Sequence, residues 1–93
     1  MKKNNRNYLS KMEINKMPDI SGVYFLYQKN DILVYIGKAK SIKTRIIDHD
    51  QNKEFDRIGY EETIYMRTRA LEKELLTLYV KEHGSLPYYN KQK

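Results

Sequence analysis

Tyr24, Tyr35, Arg45, His49, Glu72 and Asn90 are the side chains of this sequence whose types and order could do chemistry together. Two phenols and an imidazole can move protons, a guanidinium can neutralise an anion, and a carboxylate can hold a metal ion. A phenol has an ordinary pKa of about 10, so it accepts a proton at neutral pH only where a cation or a metal-bound water favours its ionised form. Lys38, directly after "YIG", is placed to supply such a charge. Taken singly, most of these residues are ordinary. Tyrosines in strands usually pack with a wet hydroxyl, and a helix-surface His49 or Arg45, or an Asn90 in a terminal turn, needs no function. Glu72 differs, because a carboxylate on a core face is costly unless it meets a cation, a metal or hydrogen-bond donors. An Arg45 partner is the structural answer and a metal ion the chemical one.

Positioning these groups requires a hairpin and two helices. Residues 23–27 and 32–36 are rich in β-branched and aromatic types and are separated by Lys29, Asn30 and Asp31, which predicts a β-hairpin. With Asn30 and Asp31 as its tight turn, residues whose numbers sum to 61 face each other: Tyr24 opposite Gly37, and Leu26 opposite Tyr35. Tyr24 and Tyr35 then share a face as diagonal neighbours, and a loop of odd length would separate them. Gly37 leaves space there for a backbone or a phosphate.

Ser41 can cap a helix from 42 to about 52, in which Arg45 and His49, spaced by four, project from one side. The run "TIYMR" alternates and suggests a third strand after an irregular "FDRIGYEE", and a second helix is expected over 69–83. On that helix Leu71, Leu75, Leu76, Leu78 and Tyr79 form an apolar arc that encloses Glu72. Gly84 stops the helix and Pro87 prevents its resumption. Residues 1–17 read as a basic flexible arm or short helix, and 18–93 as the folded domain.

The whole chain sets the limits. It has 93 residues, enough for one small domain. Lys and Arg number 18 against 12 Asp and Glu, a net +6 that suits a polyanionic partner or simply aids solubility. Cysteine is absent, which excludes disulfides, cysteine-bound zinc and a thiol nucleophile. No apolar run reaches the roughly 20 residues of a membrane span, and the start lacks a secretory signal, so a soluble, cytoplasmic protein is expected.

Read in order, "GVY" at 22–24, ten residues, "YIG" at 35–37, seven residues, Arg45, three residues and His49 precede Glu72 and Asn90. This order resembles the GIY-YIG nuclease family over about residues 18–91. "GVYFLY" and "YIGKAKSIKTR" are most similar to the nuclease module of the bacterial excision-repair incision protein, while the histidine four after Arg45 is closer to the homing-endonuclease type. The resemblance implies an α/β fold, a small three-stranded antiparallel sheet flanked by helices, and hydrolysis of phosphodiester bonds in DNA with Mg2+ or Mn2+.

By the same resemblance Glu72 holds the metal and Arg45 neutralises the phosphate. One of Tyr24 and Tyr35 activates water while the other supports it, and which is the base stays open. His49 holds the network or helps protonate, and Asn90 stabilises the site from behind. Lys38, Lys40 and Lys43, just beyond the hairpin, are expected phosphate contacts. With no separate recognition domain in view, a nonspecific or structure-selective free-standing enzyme is expected, targeted by a protein partner or by self-association. An idle nucleic-acid-binding module and an RNA nuclease are the alternatives.

Overall fold

The computed structural model describes residues 6–91. The elements are β1 (Asn7–Ser10), a 3-10 turn (Lys11–Lys16), β2 (Gly22–Gln28), β3 (Ile32–Ala39), α1 (Ile42–Asp50), β4 (Arg57–Glu62), α2 (Tyr65–His83) and a closing 3-10 turn (Tyr88–Lys91). The strands form one antiparallel sheet in the order β1-β4-β2-β3. The α/β architecture is as expected, with four strands in place of three.

The added strand comes from the segment expected as a loose arm or short helix. Residues 7–10 pair with β4, Lys11 N–H donates to Asp56 O, and Met17 is buried at 2% exposure. Residues 1–5 of that segment lie outside the described residues. The basic composition concealed a strand whose partner is distant in sequence, and pairing with β4 overrides local propensity.

The expected strand at "TIYMR" is corrected in the same way. Strand β4 is the "RIGYEE" just before it, and α2 has already begun at Tyr65. Ile64, Tyr65 and Met66 are exposed at 62%, 56% and 87%, so their alternation serves no buried face. Gly59 breaks the pattern in β4 because the Tyr8 ring rides over it: a Cβ there would lie 3.0 Å from Tyr8 Cε1.

The hairpin register near the glycines is the expected one. Tyr24 faces Gly37 and Leu26 faces Tyr35. The loop, however, has odd length: Gln28 pairs with Ile32 around Lys29, Asn30 and Asp31, with Asn30 and Asp31 at φ 65° and 58°. Short Asn and Asp side chains tolerate that left-handed backbone. A bulge between Leu26 and Tyr27 absorbs the extra residue, so the offset is cancelled before it reaches the tyrosines.

The sheet is packed on both faces. One face carries Tyr24, Leu26 and Val34 against Ile42, Ile46, Phe55 and Met17, with Tyr35 and Tyr89 at the margin. The other carries Val23, Phe25, Tyr27 and Ile36 beneath Leu71, Leu75, Leu76 and Tyr79 of α2. Leu78, expected in that apolar arc, is 48% exposed because it lies at the arc's margin. Ser41 caps α1, its Oγ accepting the Thr44 N–H, and Gly84 ends α2 at φ 84°. Among the described residues no helix is long and apolar enough to cross a membrane.

Candidate active site

Adjacent strands β2 and β3 deliver the two tyrosines, whose ring centroids are 5.9 Å apart. Gly37 makes this approach feasible: a Cβ there would stand 2.6 Å from the Tyr24 hydroxyl and 2.7 Å from Tyr35 Cε2. Helix α1, started by the Ser41 cap, brings His49 and Arg45 over the pair. The Tyr24 hydroxyl lies 2.7 Å from His49 Nε2, and the His49 ring meets Tyr35 edge-on at 5.0 Å.

His49 is buried at 8% exposure, not solvated as a lone helix histidine usually is. Burial, aided by the nearby charges of Lys53 and Arg45, pushes its pKa down to about 4. Burial, then Tyr35, raises Tyr24 above the usual phenol range, while Arg45 opposes the rise. Both partners are therefore neutral near pH 7. Arg45, exposed on α1, is close enough to the Tyr24 phenol that the phenol raises its pKa and favours its charged form. With the imidazole neutral, one ring nitrogen is free to accept, and we assign the Tyr24 O–H as donor and His49 Nε2 as acceptor, which leaves the imidazole proton on Nδ1.

Asn90 reaches the outer edge of β3. Its Oδ1 accepts the Ile36 N–H and its Nδ2 donates to Ile36 O, both at 2.9 Å. Among the described residues strand β3 is an edge strand with no neighbouring strand on that side. The amide thus acts as a one-residue strand and fixes the backbone between Tyr35 and Gly37.

Glu72 does not join this cluster. It is partly buried on α2, which packs on the face of the sheet opposite Tyr24. Among the described residues it forms no hydrogen bond or ion pair, so Arg45 is not its partner and the structural answer for its burial is removed. Lys38, exposed on β3 and paired with Val23, lies on the α2 side of the sheet. Lys40 is exposed in the bend before α1, and Lys43 is partly buried in the first turn of α1. No group of three or more Asp, Glu, His or Cys that could hold a metal occurs among the described residues. A lone unpaired carboxylate still suits magnesium, which retains waters and takes phosphate oxygens as further ligands.

Residues 20–90 match the UvrC-like GIY-YIG domain. The chain belongs to this family. Similar curated proteins are each named UvrABC system protein C. That of Psychrobacter sp. (strain PRwf-1) is 36% identical over 85 residues, covering 83% of this chain and 14% of that protein. That of Caulobacter vibrioides is 40% identical over 45 residues, 48% of this chain and 7% of that protein. That of Borrelia hermsii is 36% identical over 64 residues, 69% of this chain and 10% of that protein. The chain therefore spans about a seventh or less of the relatives it matches.

Two neighbours of the family cluster escaped the sequence reading. Lys53 Nζ lies 5.6 Å from the Tyr35 ring centroid and 5.7 Å from that of Tyr89. Its signal was the spacing of four that runs through Arg45, His49 and Lys53. Tyr89 had none, since its contacts are made 35 residues away: its hydroxyl donates to Glu54 O and accepts the Glu54 N–H.

Proposed function

We propose that this domain is an endonuclease that hydrolyses phosphodiester bonds in DNA with a divalent metal, Mg2+ or Mn2+. The observation that carries the reading is the buried Tyr24–His49 hydrogen bond, with the Arg45 charge close enough to act on the same phenol. A phenol with a raised pKa is no anion at neutral pH, so the final proton acceptor is the imidazole. His49 Nε2 takes the Tyr24 proton while the phenol oxygen takes one from water. The water oxygen forms its bond to phosphorus, and the ester oxygen departs with the electrons of the broken P–O bond.

Arg45 is placed to neutralise charge gathering on the phosphate oxygens. Tyr35 holds the imidazole in orientation from the side, and Asn90 holds the strand that carries Tyr35. By the family resemblance Glu72 would hold the metal, although it stands on α2, across the sheet from the Tyr24 cluster; a metal there would supply charge to polarise the phosphate and stabilise the leaving oxygen. Lys38, Lys40 and Lys43 suit backbone phosphates near the cut.

The test is cleavage of labelled single-stranded, duplex and flapped DNA with magnesium, manganese or chelator, by wild type and Glu72→Ala. Metal-dependent cutting that the substitution abolishes, with DNA binding retained, supports the assignment. Equal cutting by both proteins refutes the role of Glu72, and binding without cutting by either favours an idle module.

A further inference from the structure

Beyond the proton-handling cluster, aromatic and cationic groups continue to the surface. Tyr35 contacts Lys53, Lys53 contacts Tyr89, and the Tyr89 ring contacts Tyr88 at a centroid distance of 5.4 Å. Tyr88 is 58% exposed, although its neighbour Pro87 is buried. The Tyr89 ring is fixed: its hydroxyl bonds both backbone groups of Glu54 and accepts from Gln28 Nε2 at 3.3 Å. Asn90, next in sequence, is fastened to Ile36. The exposed ring therefore stands on a backbone anchored at two points. Among the described residues Lys53 has no carboxylate partner, so its charge is uncompensated there.

We propose that Lys53, Tyr89 and Tyr88 form a subsite for one unpaired nucleotide beside the scissile phosphate, which makes single-stranded or flapped DNA the favoured substrate. The proposal deepens the nuclease reading and rests on it for the position of the cut. Lys53 takes the phosphate and Tyr88 stacks the base. Aromatic stacking with an adjacent cation is the chemistry by which single strands are held without sequence preference. A base in a duplex is already stacked and cannot lie on Tyr88 without leaving its partner.

The experiment measures binding in chelator, so that no cutting occurs. The full chain is titrated with a single-stranded oligonucleotide carrying 2-aminopurine and with its duplex. Wild type is compared with Tyr88→Ala, Tyr88→Phe and Lys53→Ala. We expect Tyr88→Ala to weaken single-strand binding about tenfold and remove the stacking quench, leaving duplex binding within about twofold. Tyr88→Phe should behave as wild type. Lys53→Ala should reduce the slope of log affinity against log salt by about 0.7. Equal losses on single strand and duplex, no loss on either, or no single-strand binding by wild type overturns the subsite. The nuclease reading fails separately, by absence of metal-dependent cutting in wild type.

Discussion

The Tyr24 hydroxyl and His49 Nε2 are 2.7 Å apart in the buried interior, joined across 25 residues of sequence. In the proposed mechanism the contact divides the labour of a general base between two groups. The phenol presents an oxygen toward the Arg45 side, and the neutral imidazole offers the lone pair that accepts the phenol proton, although burial lowers its own proton affinity. Neither group would suffice alone, since burial raises the pKa of the phenol and shields the imidazole from solvent.

Removing the imidazole should therefore cost activity more than stability. We expect His49→Gln to lower the single-turnover cleavage rate by about 10² to 10⁴ while the protein remains folded by circular dichroism. A rate within threefold of wild type would assign the proton to another acceptor.

The depressed pKa of His49 has a signed consequence for pH. The folded state binds the proton only near pH 4, whereas the unfolded chain binds it near 6.5. Between those values the unfolded state holds more protons, so the His49 contribution to stability declines as pH falls from about 6.5 toward 4. An NMR titration of the His49 ring should show a midpoint near 4. A midpoint near 6.5 would mean that the ring is solvated.

Tyr24→Phe tests the other half of the pair. Loss of the hydroxyl leaves His49 Nε2 without its partner in a buried site, and we expect about 1–3 kcal/mol of destabilisation in a denaturant melt. Cleavage should fall by at least about 10². Tyr35→Phe should cost less on both measures.

Two glycine substitutions should separate packing from backbone strain. Gly37→Ala places a methyl group 2.6 Å from the Tyr24 hydroxyl, and we expect about 1–3 kcal/mol lost together with activity. Gly84→Ala meets nothing within 4 Å but keeps a φ of +84°, so about 1 kcal/mol should be lost with cleavage unchanged. If Gly37→Ala cuts normally, the tyrosines have more room than the structure gives them.

Asn90 acts through Ile36. Substituting Leu removes an acceptor and a donor from the edge of β3, and hydrogen exchange at the Ile36 amide should quicken at least tenfold. The cleavage rate should fall with it, since the strand carrying Tyr35 and Gly37 is loosened. Faster exchange with unaltered cleavage would restrict Asn90 to the fold.

How far the sequence alone reached varies with the range of the interactions. It determined the hairpin and both helices, because alternation, the Ser41 cap and the Gly84 stop are local signals, whereas the expected register at Tyr24 and Gly37 survives the three-residue loop only through the bulge between Leu26 and Tyr27. The order of motif residues also pointed to the family, which the match over 20–90 bears out. Only tertiary structure decided the strands at 7–10 and 57–62, since each depends on pairing with chain far away and on the Tyr8 ring covering Gly59. It also decided that His49 is buried, that Arg45 serves Tyr24 and leaves Glu72 unpaired, and that Lys53 and Tyr89 flank the cluster. Protonation, desolvation and charge pairing depend on what surrounds a side chain in space. One-dimensional spacing can place a residue on a face, but what lies opposite that face is set by the packing of the whole chain.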